Sequence, residues 1–143
     1  MPRMIFVNLP VADVAASTAF YEAIGFVKNP QFSNERGACL VWSESIYVMV
    51  AAKDFYATLT TKPIADTQAT SGALFALALD SRAEVDAIAE AAVAAGGREA
   101  HGPEDEGFMY SRAFWDPDGH AFGPFWMDPV AAEQGPPAEA AAA

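Results

Sequence analysis

Two histidines and one cysteine are the side chains of this sequence best suited to ligating a metal ion or attacking a substrate. His101 lies in a polar stretch and could join Glu104 or Asp105 around a cation. An exposed acidic loop explains that stretch more simply. His120 follows an Asp-Gly turn, where a solvent-facing position is expected. Cys39 lies among apolar residues, so its thiol is expected to be buried and inert. We assign no catalytic residue.

Two polar residues inside apolar runs are candidates for contacting a ligand. Asn8 alternates with apolar neighbours, so it points into a cleft if those neighbours pack against helices. An asparagine satisfied by nearby backbone is the alternative. Arg112 carries a guanidinium group that suits a carboxylate or a phosphate. Strict alternation places it on the face opposite Ser111, so an ion pair with an acidic neighbour is an equally good interpretation.

The elements that position these residues follow from the pattern of apolar residues. Residues 4–11 predict a strand, and Asp13 caps a helix that runs to about Ile24 and ends at Gly25. Short strands are then predicted around residues 26–28, 37–43 and 45–51. Residues 52–70 predict a long irregular connection.

The same pattern restarts after this connection. Residues 73–79 predict a buried strand, and Ser81 with Glu84 forms a capping box in front of a helix that Gly96 ends. Three more strands are predicted around residues 98–100, 108–115 and 120–127, and the turn 116–119 joins the last two. The order β-α-β-β-β therefore occurs twice, at an offset of roughly 68 residues.

This duplication predicts an α+β fold of two tandem βαβββ modules, whose eight strands form a curved, partly open sheet around a central cleft. We assign residues 1–128 to one domain, with module one at about 4–52 and module two at about 72–128. Residues 129–143 contain Gly-Pro-Pro and an alanine run and are predicted to be a disordered tail.

Composition limits the classes of partner. A net charge of −11 opposes binding to nucleic acid and to anionic membrane surfaces. No apolar run approaches the roughly 18 residues of a membrane span, and the first residues show no signal-peptide pattern. The single cysteine excludes an internal disulfide. We therefore expect a cytoplasmic protein that binds neither nucleic acid nor a membrane.

Two motifs stand at the ends of the duplicated region. The first is Val7-x-Leu9-x-Val11-x-Asp13, followed by Ser17-x-x-Phe20-Tyr21 and Gly25-Phe26. The second is Asp116-Pro-Asp-Gly-His120, just before the last predicted strand. Together with the repeat between them, they resemble the vicinal oxygen chelate superfamily over about residues 4–128. That superfamily includes glyoxalase I, extradiol dioxygenases and the fosfomycin- and bleomycin-resistance proteins.

The resemblance implies where a metal ion would be held. Metal-dependent members use histidine and glutamate ligands from the first, fourth, fifth and eighth strands, and these positions match Phe6, Met49, Leu74 and Gly123. None offers an oxygen or imidazole donor, and a register error of one residue brings up only further apolar side chains. Pro124 removes a donor from the last strand and predicts a bend or bulge there. We expect no metal and no other cofactor.

Strand alternation directs mostly apolar and aromatic side chains toward the cleft, which favours a flat or hydrophobic ligand. The predicted ligand-binding residues are Phe6, Asn8, Tyr47, Met49, Leu74, Met109, Ser111, Arg112 and Phe125. Because several of these side chains are large, a core that closes the cleft is the alternative.

These observations predict a metal-free protein of this superfamily that binds a small, largely apolar ligand. Resemblance to the bleomycin-resistance proteins implies a sequestering or carrier role and a homodimer. One alternative is an enzyme, either a glyoxalase-like lyase or isomerase or an extradiol dioxygenase, with displaced ligands such as His101, Glu104, Glu106 or His120. The missing ligands argue against an enzyme. A regulatory or interaction module with a filled cleft is the other alternative.

Overall fold

The structure, a computed structural model, describes residues 2–138. Its elements, in chain order, are β1 (Ile5–Val11), α1 (Val14–Ala23), β2 (Val27–Asn34), β3 (Gly37–Val41), β4 (Ile46–Ala52), α2 (Lys53–Tyr56), β5 (Leu74–Leu79), α3 (Arg82–Ala94), β6 (Arg98–Asp105), β7 (Met109–Trp115), β8 (Ala121–Met127) and α4 (Pro129–Gln134). The predicted α+β fold with two βαβββ modules is confirmed.

The eight strands are divided between two four-stranded sheets, one in each module. The first sheet has the order β1-β4-β3-β2 and the second the order β5-β8-β7-β6. In each, the first strand runs parallel to the fourth, and the other pairs are antiparallel. The register across Pro124 is regular, with Phe122 opposite Phe114 and Phe125 opposite Ser111. The bulge predicted at Pro124 is therefore absent from this pair.

Helix ends follow the side-chain caps that the sequence indicates. The carboxylate of Asp13 accepts from the amide of Ala16 at 3.0 Å, and the hydroxyl of Ser81 accepts from the amide of Glu84 at 3.1 Å. The carboxylate of Glu84 reaches back one residue further than expected, to the amide of Asp80. Free backbone donors are thus satisfied at the start of both long helices.

The strands at the outer edges are longer than predicted. Both β2 and β6 span eight residues, and each contains register irregularities against its neighbour. Their side chains are mostly exposed, so they lack the apolar alternation that identifies a strand in a sequence. His101 therefore lies on β6 and not in the predicted loop.

The segment predicted to be a disordered tail begins with a helix. Pro129 starts α4, the side chain of Asp128 accepts from the amide of Val130 at 2.8 Å, and Ala131 is buried. A cap and one buried alanine are weak signals in a sequence that is otherwise rich in Pro, Gly and Ala. The end of that segment, residues 139–143, lies outside the described residues.

One apolar core joins the two modules. Helices α1 and α3 cover one face of the sheets, and Phe20 and Tyr21 of α1 pack edge-on against Phe114 and Phe122 of the second sheet. We call the opposite face of each sheet its outer face. Among residues 2–138, no helix combines the length and apolar character that a membrane crossing needs.

Candidate functional site

A cleft of about 1120 Å³ lies over the outer face of the second sheet. Its floor is made by side chains of β5, β6, β7 and β8. One wall is the edge of β1 at Asn8, and the other is the segment of residues 57–73, which we call the linker. The cleft is open to solvent, and no side chain of residues 2–138 fills it.

Small side chains on the floor create this space. Five of the floor residues are glycine or alanine, so the sheet surface lies open to a flat or apolar molecule. Strand register arranges the floor in two rows that run across the sheet, and all of their members line the cleft: Ala76, Gly123 and Ala113 in one row, and Leu74, Ala121, Trp115 and Arg98 in the other.

The outer face of the first sheet carries larger groups. Phe6 and Tyr47 are register partners there, and their rings stack in parallel at 4.4 Å between centroids. Asn8 and Met49 form the neighbouring pair. The two modules share a topology, but the cleft lies over the second sheet.

The turn at residues 116–120 holds the linker in place. The hydroxyl of Thr67 donates to the carbonyl of Asp118 at 2.6 Å, and the side-chain amide of Gln68 donates to the carbonyl of Pro117 at 2.8 Å. Gly119 has φ of 90°, and a Cβ there would overlap the Thr67 carbonyl. Only glycine therefore allows the turn to approach the linker this closely.

The same turn ties module two to module one. The carboxylate of Asp118 accepts from the amide of Ala12 at 2.8 Å, and Nε2 of His120 lies 2.8 Å from the carbonyl of Pro10. His120 is buried, so the solvent-facing position predicted for it is wrong. Its ring closes the junction between the modules.

Burial controls the electrostatics at this junction. The hydroxyl of Tyr21 donates to Asp116 at 2.6 Å. Asp116 is 2% exposed, and desolvation raises the pKa of its carboxyl against the opposing effects of the Tyr21 hydroxyl and the charge of His120. Burial also raises the pKa of Tyr21 well above its ordinary value, with Asp116 adding to the effect. The tyrosine therefore stays protonated, and the arrangement is a structural link and not an acid–base pair open to substrate.

The predicted ligand-binding residues fall into two groups. Asn8, Leu74, Ser111 and Arg112 line the cleft. The others lie on the outer faces but outside the cleft lining: Phe6, Tyr47 and Met49 on the first sheet, and Met109 and Phe125 on the second. Asn8 is exposed, and its amide nitrogen reaches the carbonyl of Phe6 only at 3.4 Å.

Arg112 borders the cleft, but its guanidinium is turned to the helix side of the sheet. It lies 2.8 Å from Asp86 of α3 and 3.7 Å from Glu99, and the hydroxyl of Tyr110 donates to the same Asp86 oxygen at 2.6 Å. These contacts agree with the ion-pair interpretation of Arg112 and not with a role in holding a ligand.

The contacts of Asp86 make stability depend on pH in acid. The Tyr110 hydroxyl and the Arg112 guanidinium lower the pKa of Asp86. A lowered pKa in the folded state stabilises the protein above the ordinary pKa, and the contribution disappears as the pH falls through the folded value. Since the Asp86 side chain is 42% exposed, we expect its contacts to contribute less than about 1 kcal/mol to the free energy of unfolding. Urea unfolding of Asp86→Asn should differ from wild type near neutral pH and converge with it in acid. A difference that grows in acid would contradict this.

The positions that the resemblance assigns to a metal do not fit one. Phe6 and Met49 lie on the outer face of the first sheet, and Leu74 and Gly123 on that of the second. None supplies a donor for a divalent ion beyond the thioether of Met49. Within residues 2–138, no three His, Cys, Asp or Glu side chains are grouped closely enough to hold a metal ion.

The displaced ligands considered for an enzyme do not come together. His101 and Glu104 both line the cleft, with 3.7 Å between ring and carboxylate. The ring of His120 instead faces the carbonyl of Pro10, and Glu106 is not a lining residue. One histidine and one carboxylate are fewer protein ligands than a zinc site uses.

The cysteine is no better placed for chemistry. Cys39 is buried as predicted, and burial raises the pKa of its thiol. A thiol that stays protonated is a poor nucleophile.

The linker, Arg98 and Trp115 line the cleft but are not among the residues predicted from the sequence. The sequence indicates only an irregular connection at the linker, although a connection of this length in a compact domain often carries function. Arg98 lies on an edge strand that is longer than the sequence predicts. Its position directly after the glycine pair at residues 96 and 97 is the only local signal.

Comparison with known proteins agrees with this architecture. Residues 3–123 match the model of the family described as Glyoxalase/Bleomycin resistance protein/Dioxygenase superfamily. No curated protein matches the chain significantly.

Several solved structures share the fold. Hypothetical protein SA1046 from S. aureus has a TM-score of 0.75 at 22% identity, covering 88% of this chain and 94% of that one. A glyoxalase/bleomycin resistance protein/dioxygenase family enzyme from Burkholderia phytofirmans PsJN has a TM-score of 0.75 at 19% identity, covering 88% and 99%. The fosfomycin resistance protein FosX from Mesorhizobium loti has a TM-score of 0.67 at 16% identity, covering 93% and 98%. At these identities the likeness concerns the fold.

Proposed function

This chain belongs to the glyoxalase/bleomycin resistance protein/dioxygenase superfamily, and we propose that it binds a small, largely apolar molecule in the cleft without a metal ion. The role is sequestration or carriage of that molecule, as the resemblance to the bleomycin-resistance proteins implies. The superfamily includes a range of activities, so the choice among them rests on the residues of the site.

One observation carries the proposal: the cleft is roomy and its floor is apolar. A volume of about 1120 Å³ accommodates a drug-sized molecule. Leu74, Phe75 and Trp115 supply apolar and aromatic surface, while the alanines and Gly123 leave space above the sheet. An apolar molecule placed there would remove this surface from water, which favours binding.

The chemistry of the strand residues supports a site that works without metal. Phe6, Met49, Leu74 and Gly123 occupy the places where ligands are expected, and neighbouring residues of the same strands give no donor set. Among the described residues, no group in the cleft is arranged as a nucleophile with its base. The lining residues therefore favour binding without a chemical step.

The proposal includes a homodimer. The first sheet exposes large apolar side chains, among them Phe6 at 47%, Val27 at 66% and Phe32 at 68%. Exposed apolar surface of this kind is typical of protein–protein contacts. A second copy covering that surface would remove it from water and leave the cleft of each chain available.

The proposal is tested with an apolar fluorescent probe and a metal analysis. We expect N-phenylnaphthylamine (NPN) to bind with a dissociation constant that does not change when EDTA is added. Protein purified without a chelator should contain metal far below one equivalent by elemental analysis. It should also fail to turn over the hemithioacetal of methylglyoxal and glutathione with any added divalent ion.

Each result has an opposite that counts against the proposal. The protein would be a metal enzyme and not a binding protein if it contained stoichiometric iron, zinc, nickel or manganese. In that case EDTA would abolish NPN binding or turnover. Absence of any NPN binding to a folded chain would favour an interaction module. A variant with a filled cleft, described in the Discussion, controls for NPN that binds elsewhere on the surface.

A further inference from the structure

The cleft is lined by basic residues although the chain as a whole is strongly acidic. Of the eight lysines and arginines in the sequence, three line the cleft: Lys62, Arg98 and Arg112. Of the nineteen aspartates and glutamates, Glu104 is the one lining residue within the described residues 2–138. A net charge of −11 would lead one to expect the reverse.

Arg98 presents its charge to the cleft without an acidic partner. Its guanidinium lies over the ring of Trp115, with Cζ 5.4 Å from the centroid, and the two residues are register partners on the floor. A cation–π contact uses no hydrogen-bond donor, so the N–H groups of the guanidinium remain able to donate to a ligand. In the described part of the chain, no carboxylate lies within ion-pair distance of Arg98.

Lys62 supplies a second positive charge from the linker wall. It lines the same cleft as Arg98, and no ion pair of Lys62 is found among residues 2–138. The third cation, Arg112, is already paired with Asp86 on the other side of the sheet. Arg98 and Lys62 are therefore the two cations that remain available to a ligand.

Glu104 is a single lining carboxylate, so the two cations of Arg98 and Lys62 outnumber it. Glu104 lies beside His101, 3.7 Å from its ring. At physiological ionic strength, the field of an exposed charge decays over about 8 Å, so distant carboxylates contribute little inside the cleft. Two unpaired cations beside an apolar floor form a surface complementary to an amphiphilic anion.

We propose that the ligand of this cleft is a small organic anion, with an apolar body on the floor of the second sheet and an acidic group bound by Arg98 and Lys62. This inference rests on the proposed function and narrows its ligand class. The acidic group is a carboxylate, sulfonate or phosphonate, because each offers oxygens to the N–H groups of arginine and lysine.

The test compares two dyes that share an apolar body and differ in charge. The dye ANS (anilinonaphthalene sulfonate) carries a sulfonate on the ring system of uncharged NPN. We expect ANS to bind more tightly than NPN, and we expect added salt to weaken the binding of ANS but not that of NPN. Arg98→Gln and Lys62→Gln should each weaken ANS binding about fivefold, and the double variant at least about tenfold. NPN binding should be unchanged in all three.

Arg3→Gln is the matched control, because it removes a positive charge that does not line the cleft. This variant should leave the binding affinities of both dyes unchanged. If NPN binds and ANS binds no better, or if ANS affinity is unchanged in the double variant, the proposal of an anionic ligand is wrong. The proposal that the cleft binds an apolar molecule would then remain. If neither dye binds the folded protein, the proposed function itself fails.

A comparison of two indole compounds follows the same logic. Indole acetic acid and its amide differ in one charge, and their competition against ANS separates recognition of a carboxylate from recognition of the sulfonate dye. The acid should displace ANS more effectively than the amide, and this preference should vanish in the double variant. Equal displacement by acid and amide would overturn the proposal.

Discussion

Replacing Asp116 with alanine is expected to lower the free energy of unfolding by about 3–5 kcal/mol. The carboxylate accepts three hydrogen bonds at once: from the Tyr21 hydroxyl at 2.6 Å, the His120 amide at 2.8 Å and the Asp118 amide at 3.0 Å. Alanine leaves these donors without a partner at a residue that is 2% exposed. Urea unfolding followed by tryptophan fluorescence measures the loss.

Two variants separate this effect from a general effect of substitution. Asp116→Asn keeps an acceptor for the backbone amides, so it should lower the free energy of unfolding clearly less than Asp116→Ala does. Asp54→Ala removes an exposed carboxylate that takes no part in the junction, and it should change the free energy by at most about 0.5 kcal/mol. A loss below about 1 kcal/mol for Asp116→Ala would show that the turn does not hold the modules together.

The second large effect is on binding. Gly123→Leu should abolish NPN binding, with an affinity loss of at least about thirtyfold, because the new side chain occupies the cleft above the floor. The backbone tolerates it: a Cβ at Gly123 meets its nearest atom, the Arg112 carbonyl oxygen, at 3.8 Å, and the glycine has no positive φ. Replacing a glycine in the middle of a strand should also leave stability equal or slightly higher.

The matched control for this variant lies on the same face. Ala78→Leu adds a leucine side chain to the outer face of β5, at an exposed position outside the cleft lining. It should bind NPN as the wild type does, as measured by a fluorescence titration. Undiminished NPN binding by folded Gly123→Leu protein would place the site elsewhere.

The architecture could be predicted because it depends on features that repeat along the chain. The apolar runs of β1 and β5, the caps at Asp13 and Ser81 and the turn at residues 116–119 each act locally and occur in the predicted order. The full lengths of the exposed edge strands could not be predicted in the same way. Most side chains of β2 and β6 face water, so no apolar period is imposed on them.

The site was only partly predictable, because the cleft depends on how the modules and the linker meet. Alternation predicts that Leu74 and Ser111 share one face, and the strand register places both on the outer face of the second sheet. It could not indicate that the cleft lies over that sheet alone, with Phe6 and Tyr47 outside it. His120 was misplaced for a related reason: its ring contacts a backbone carbonyl of the other module, which is distant in sequence.

The linker contacts have a consequence for how occupancy and folding influence each other. Thr67 and Gln68 attach one wall of the cleft to the same turn that fastens the two modules. A molecule that binds against this wall only in the native state adds its binding free energy to that state alone. Saturation should therefore raise the melting temperature of the whole chain, and a substitution that weakens the turn should lower ligand affinity together with thermal stability.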